Sequence, residues 1–287
     1  TFHPAQLPLY FRHRITPTVV CREDVQAISH AARNRLPLAV HVEIDTGMGR
    51  LGIWHEHAPA VLEDWAANEK ILIEGVYTHF SSADGKRRVT DLQIRRFRRV
   101  LEAAARLGVR PRYVHAANSV GLLRFKQAHL NLVRPGIVLY GVNPYKPLPG
   151  LRLKNVLSLK ARISFLKTVP AGRTISYGGT YSTVEPTRIA TLPIGYSHGY
   201  RVAYSNKASV IARGRRCRVA GRVTMDQTLV DVGRVPVRRW DTVTLIGRDG
   251  EAKVTAEELA ALSGTIPYEV LCALHGRIPR ICRNLGR

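Results

Sequence analysis

The residues that could do chemistry lie at the ends of apolar runs. Arg134 is set in Asn131–Gly141, NLVRPGIVLYG, and is followed at once by Pro135 and Gly136. A guanidinium in a buried strand is costly unless an anion or hydrogen-bond acceptors meet it. Pro135 withholds an amide hydrogen, and Gly136 lets another molecule approach the backbone. The plainer alternative is a structural ion pair. His79 ends a second run, in YTHFSSAD, where a histidine can be catalytic or structural. Gly47, Gly49 and Gly52 satisfy G-x-G-x-x-G after a third run, and Ile71–Glu74 adds a strand ending in an acid, as in a dinucleotide site. Against that, Asp45, Thr46 and Arg50 put polar bulk where pyrophosphate needs bare amides, and Glu43 carries the wrong sign. Tyr177, in ISYGGTY, either packs in a bend or presents its phenol.

These residues need a scaffold. Thr16–Val20, His41–Asp45, Ile71–Phe80, Tyr113–Ala117 and Leu132–Tyr140 read as strands, and helices are expected over Glu23–Arg33, 58–68, from Thr90 and over Ser119–Phe125. Thr90 and Gln93 form a capping-box pattern, Phe97, Val100, Leu101, Ala104 and Leu107 share one face, and Gly108 ends that helix. Thr1–Arg14 shows no clear period. Alternation of strand and helix means a parallel sheet, and polar residues at the carboxyl ends (Asp45, His79, Asn118, Arg134) fit a β/α barrel. Five strands do not close an eight-stranded barrel, so the sheet is either open or an incomplete (β/α)8 TIM-type barrel.

Beyond Pro149 the pattern becomes all-β. Short strands are expected at Val156–Val169, Ile175–Tyr181, Thr187–Gly195, Ala208–Arg213, Arg216–Val223, Thr228–Val232 and Thr242–Ile246, with one helix capped by Thr255 and Glu258 and a closing extended piece at Ile278–Ile281. The domains are therefore 1–148 and 149–287, joined near the proline-rich Pro144–Gly150.

Composition excludes several classes. At 287 residues and 45% hydrophobic the chain can fold, and no apolar run reaches the roughly 20 residues of a membrane span. The net charge of +23 raises nucleic acid, but the arginines are scattered, and the densest group, Arg95, Arg96, Arg98 and Arg99 with Arg87 and Arg88 upstream, has no aromatic partners. A solvated basic surface is expected, with no nucleic-acid partner. Cys21, Cys217, Cys272 and Cys282 are spread without C-x-x-C and read as buried thiols, and His55 and His57 around Glu56 read as surface residues, so no metal is expected.

VRPGIVLYG resembles the last barrel strand of alanine racemases, which depend on pyridoxal 5'-phosphate, and EIDTGMGRLG resembles the same family. The resemblance runs from about Thr18 to Arg280. It implies that Arg134 faces the pyridine nitrogen. Gly136, Ile137, Asn118 and Ser119 would hold the phosphate, aided by the helix start at Ser119. Arg50 would meet the substrate carboxylate and the cofactor's phenolic oxygen. Glu43 stands where many members carry a carbamylated lysine, and is expected to orient Arg50. His79 would bridge Arg134 and a catalytic tyrosine. That tyrosine is Tyr177, one of two bases, with Tyr196 of LPIGYSHGY and Met225 and Asp226 of GRVTMDQ around the substrate. In the family these come from the partner subunit, so a homodimer with composite sites is implied. The implied reaction interconverts L- and D-alanine in the cytoplasm, for peptidoglycan.

Racemisation removes a proton from Cα and returns it from the other face, which two bases can do. A phenol needs help to act as a base, and His79 and Arg134 could supply it. Arg134 keeps its proton, so the ring nitrogen would stay unprotonated, which disfavours transamination. Two departures from the family stand out. Gly276 replaces a phosphate-binding tyrosine, and the Schiff-base lysine in its K-A-N-A-Y-G setting matches none of Lys70, Lys86, Lys126, Lys146, Lys154, Lys160, Lys167, Lys207 or Lys253. The family's opening segment would hold that lysine and three strands, so the chain is expected to be truncated and inactive alone. The rivals are a broader-range or serine racemase, a non-catalytic remnant and an NAD-binding protein.

Overall fold

The computed structural model describes residues 2–32, 36–145, 150–274 and 276–283. Two compact units divide the chain, Thr1–Gly136 and Ile137–Arg287. The linker stretch includes Lys146–Pro149, which lie outside the described residues.

The first unit opens with α1 (Leu7–His13), where no period was legible, then β1 (Thr18–Val19), α2 (Arg22–Ala32), β2 (Leu38–Asp45) and β3 (Ile53–Trp54). It continues through α3 (Ala58–Ala66), β4 (Ile71–Tyr77), α4 (Arg87–Arg106), β5 (Tyr113–His115) and α5 (Ser119–Arg124). The parallel sheet runs β1-β2-β4-β5, with β3 beside β2. Strand order follows chain order without reversal. A dinucleotide fold reverses at a switch point, so this is the wall of a barrel. The expected strand Leu132–Tyr140 is not one. Leu132 makes a single parallel bridge to His115, Pro135 interrupts the ladder, and Ile137–Tyr140 coils into a 3-10 turn.

Register decides which side chains line the concave face. Val40 pairs with Ile73 but His41 pairs with Gly75, so Glu74 is an extra residue in β4 and the pairing shifts there. After that bulge His41 lies level with Gly75 and Tyr113, and Glu43 with Tyr77 and His115. The other face of β2 is apolar, with Val40, Val42 and Ile44 fully buried.

α4 corrects an expectation. It begins three residues before Thr90, and Lys86 at its N-cap gives no side-chain cap. Thr90 and Gln93 are buried inside it, so the capping-box pattern was a coincidence of spacing. Phe97, Val100 and Ala104 are buried and Gly108, at φ +83°, ends the helix, but Leu107 is exposed.

The second unit contains β6 (Leu159–Arg162), β7 (Phe165–Val169), β8 (Thr174–Ile175), β9 (Tyr181–Ser182), β10 (Thr187–Leu192), β11 (Ser209–Ala212), β12 (Arg215–Val219), β13 (Thr228–Asp231), β14 (Thr242–Asp249) and β15 (Ala252–Val254). Two short helices follow, α6 (Ala256–Leu262) and α7 (Pro267–Cys272). The main sheet runs β15-β14-β11-β12-β13-β10-β7, with β6 on β14, and β8 and β9 form a separate hairpin. Its core includes Ile163, Leu192, Ile211, Val219 and Leu245. Thr255 caps α6 through Glu258 N, as expected. Ile278–Ile281 is not a strand. Of the cysteines only Cys217 is buried; Cys21 is half-buried, and Cys272 and Cys282 are exposed.

Candidate active site

Past the bridge at Leu132, the Arg134 amide donates to Ala117 O at 2.9 Å, which brings its side chain back over the carboxyl ends of β4 and β5. Nη1 lies 2.5 Å from His115 Nδ1. Nη2 reaches Thr78 O at 3.0 Å, Ala116 O at 3.4 Å and His79 Nδ1 at 3.4 Å. The guanidinium also lies 5.0 Å from the Tyr77 ring centre, a cation–π contact. No carboxylate pairs with Arg134 among the described residues. The structural ion pair is therefore excluded. Arg134 is half-buried rather than enclosed in a strand, and every acceptor around it is neutral.

Burial, then the charge of Arg134, then that of Arg50 pull His79 down to about 4. Burial, Arg134 and His41 pull His115 to about 3. Both rings are neutral near pH 7. An arginine only donates, so a hydrogen bond from Nη2 to His79 requires a lone pair on Nδ1, which places the ring hydrogen on Nε2. Nε2 lies 3.5 Å from Asn118 Nδ2, an amide donor, while Asn118 Oδ1 accepts from Gly121 N. With Nδ1 turned to Arg134, Nε2–H would be available to an oxygen that displaces the long Asn118 contact, which is what a bridge from Arg134 to a phenolate requires.

Asp45 settles the glycine loop. Its carboxylate accepts from the amides of Gly47, Met48 and Gly49 at 2.8, 2.9 and 2.8 Å. The donors a pyrophosphate would need are already engaged, which removes the physical basis of the NAD reading. The loop holds Arg50 exposed. Tyr77 donates its hydroxyl to Glu43 Oε2 at 3.0 Å, and no ion pair joins Glu43 to Arg50 among the described residues. Gln93 ties the loops together, giving its amide to Thr46 Oγ1 and His79 O and accepting from Ser81 N, all within 3.1 Å. Gln93 therefore joins two loops and does not cap α4. The sequence pattern did not single out His115, whose only signal was its place in HAANS. His57 is exposed as expected, but His55 is half-buried with an unpartnered Nε2.

At the expected phosphate end, Asn118 caps α5 and Ser119 is 2% exposed. The Gly136 amide donates to Ser119 Oγ at 2.8 Å, so it is engaged, while the Ser119 hydroxyl hydrogen is left to donate elsewhere. Ile137 is buried at the start of its 3-10 turn. A cation without counter-charge, a serine hydroxyl and the Asn118 amide hydrogens form a donor set suited to an anionic pyridine derivative such as pyridoxal phosphate.

In the second unit, Tyr177 sits in the turn between β8 and β9, 69% exposed. Ser176 before it adopts φ +65° and donates its hydroxyl to Arg222 O at 2.6 Å. Tyr196 and Met225 are exposed. Gly195 brings their segments together: a Cβ there would lie 2.0 Å from Thr224 O, and Tyr196 N and Ser197 N donate to Thr224 O and Met225 O. Asp226 accepts from Ser197 Oγ at 2.7 Å. Residues 221–227 thus link Tyr177, Tyr196, Met225 and Asp226 at one end of the sheet.

A barrel wall with an uncompensated arginine and neutral histidine at its carboxyl rim, followed by a β unit presenting tyrosines, is the architecture of pyridoxal-phosphate-dependent amino-acid racemases. The family model of the alanine racemase N-terminal domain matches residues 1–144, and that of the C-terminal domain matches residues 156–282. An alanine racemase of Carboxydothermus hydrogenoformans is 43% identical over 283 residues, 97% of this chain and 77% of the relative. One of Halothermothrix orenii is 40% identical over 285 residues, 98% of this chain and 75% of the relative. Among solved structures, alanine racemase from Streptomyces lavendulae superposes with a TM-score of 0.90 at 31% identity, covering 98% of this chain and 76% of that one. The Bacillus anthracis enzyme with bound L-Ala-P gives 0.88 at 34%, covering 99% and 75%. The chain belongs to the alanine racemase family, whose members use pyridoxal 5'-phosphate, and its fold is that family's barrel and C-terminal β domain.

Proposed function

We propose that this chain interconverts L- and D-alanine with pyridoxal 5'-phosphate, as part of a cytoplasmic homodimer that supplies D-alanine for peptidoglycan. The observation that carries the reading is Arg134, a permanent cation met only by neutral acceptors. When bound, the cofactor supplies the electron sink that acidifies the Cα hydrogen. Arg134 would hold the pyridine nitrogen by hydrogen bond without giving it a proton, because a guanidinium keeps its own. Burial lowers Arg134 somewhat from the usual guanidinium value, yet it stays charged. Ser119 and Asn118 would hold the phosphate, with Gly136, whose amide fixes the Ser119 hydroxyl, and Ile137 beside them, and Arg50 would hold the substrate carboxylate.

Tyr177 would take or return the Cα proton on one face, and His79 Nε2–H would stabilise the phenolate. The exposure of Tyr177, Tyr196 and Met225 at one end of the β unit supports their use in a site completed by a second copy. No described helix is long and apolar enough to cross a membrane, and the exposed Arg95, Arg98 and Arg99 on α4 read as a solvated face with no nucleic-acid role. The domain reading of a cofactor-binding 1–148 and a tyrosine-bearing 149–287 follows the same division of labour.

The test joins the chain to a segment bearing the family's lysine setting, then measures D-alanine from L-alanine and cofactor absorbance before and after borohydride. Racemisation is expected with L-alanine, to fall at least about a hundredfold in Tyr177→Phe, as for loss of a general base. Arg134→Glu should slow racemisation and raise transamination. Full activity in Tyr177→Phe, or an unchanged ratio of the two reactions in Arg134→Glu, overturns the reading.

A further inference from the structure

The concave face of the barrel wall holds a second histidine beyond His115. His41 Nδ1 lies 2.9 Å from His115 Nε2, and the rings are 5.0 Å apart between centres. The two sit on β2 and β5, which are not neighbours, because β4 runs between them. Gly75 makes the contact possible. It is level with His41 in the register, and a Cβ built on it would lie 2.5 Å from His41 Nε2. The missing side chain is the gap through which His41 crosses β4. The bulge at Glu74 puts the glycine at that level.

Hydrogen-bond logic then fixes both tautomers. Arg134 has no acceptor, so His115 Nδ1, 2.5 Å from Nη1, must be an unprotonated nitrogen. The neutral ring therefore carries its hydrogen on Nε2. That hydrogen points at His41 Nδ1, which must accept it, so His41 is also neutral with its hydrogen on Nε2. Were His115 to shift its hydrogen to Nδ1, two donors would face each other at the arginine. Tyr77 stacks on His115 at 4.7 Å and 9°, leaving the ring little freedom to turn away.

We propose that His41 is a positioning residue for Arg134: by accepting from His115 it locks the tautomer that presents a lone pair to the guanidinium, and so holds the arginine aligned and uncompensated. The inference rests on the racemase reading only for what the arginine meets on its far side.

The experiment is long-range 15N–1H NMR of the histidine-labelled chain near pH 7, without cofactor, so that it stands apart from the racemase reading. His115 and His41 are expected to show one protonated nitrogen each, Nε2, with Nδ1 at the far-downfield position of an unprotonated nitrogen. In His41→Leu the Nε2–H of His115 is left without an acceptor in a buried site, a cost set against the Arg134 contact, so Nδ1–H should appear in part. His41→Asn, whose Oδ1 can stand in for Nδ1, should restore Nε2–H. Gly75→Ala, which leaves both histidines in place but closes the gap, should reproduce the leucine variant. Nδ1–H or a doubly protonated ring at His115 in the wild type overturns the proposal. So does an unchanged His115 spectrum in a folded His41→Leu or Gly75→Ala chain; if neither variant folds, the wild-type tautomers and their retention in His41→Asn decide.

Discussion

Acid should destabilise the barrel wall through His115, and the size of the effect can be worked out. The ring is 4% exposed, and its pKa falls from the ordinary 6.5 to about 3 in the folded chain. A base with a depressed folded pKa stays neutral while the unfolded chain takes up a proton. The unfolded state therefore binds more protons between those values, and stability falls as pH drops through that window. Well above pH 6.5 neither state is protonated and the effect is absent. One pKa unit corresponds to about 1.4 kcal/mol, and the unfolded ring is already half protonated at pH 6.5, so going from pH 6.5 to 4.5 should remove about 2 kcal/mol through this one side chain. His115→Asn is the matched control, since an amide oxygen can accept from Arg134 and does not titrate. Urea unfolding of both proteins at pH 7 and pH 4.5 isolates the difference, because the remaining titrating groups are shared. The wild type should lose about 2–3 kcal/mol more than the variant over that range. Parallel losses would show that His115 protonates in the folded chain, and would remove the basis for a neutral acceptor beside Arg134.

Two further substitutions test how the loops are built. Asp45→Ala deprives three loop amides of a charged acceptor, so a loss of about 2–4 kcal/mol in urea unfolding is expected, with faster amide exchange confined to residues 46–50; slow exchange there would mean the loop is held by something else. Gly195→Ala places a methyl 2.0 Å from Thr224 O, so the Tyr196 and Met225 segments must part. It should cost about 1–3 kcal/mol and abolish the near-ultraviolet signal of an ordered Tyr196, whereas an unchanged spectrum would show that the two segments are not clamped.

The fold was legible where local pattern and tertiary demand agree. The alternation of strands and helices, the switch to short strands after Pro149 and the cap at Thr255 all appear in the structure. Pattern misled where the same residue types serve a tertiary role. Thr90 and Gln93 have capping-box spacing, yet Gln93 is buried because two site loops need its amide. Leu132–Tyr140 has the composition of a strand, but Pro135 removes a ladder donor and the chain must turn away at the rim, where Arg134 is wanted. α1 lacks a strong period because only Leu7 in it is buried.

The site was legible as a set of residue types and not as a network. Arg134, His79, Asn118 and Ser119 are brought together at the ends of β4 and β5, and the loop after β2 carries Arg50. Nothing in the sequence announced that His41, on β2, would reach His115, on β5. That contact depends on one extra residue in β4, which shifts the register so that a glycine lies in its path. The charge balance also became visible only in three dimensions. Glu43 is close enough in sequence to Arg50 to suggest a pair, yet its carboxylate accepts from Tyr77 and makes no ion pair with Arg50 or Arg134 among the described residues, acting on Arg134 only through its charge. Had a carboxylate met Arg134, the field at a pyridine nitrogen would be largely cancelled. Surrounding the guanidinium with imidazole nitrogens and carbonyl oxygens satisfies its hydrogen bonds without neutralising its charge. The histidines serve this purpose only while they stay neutral, so the same burial that lowers their pKa values preserves the cation they hold.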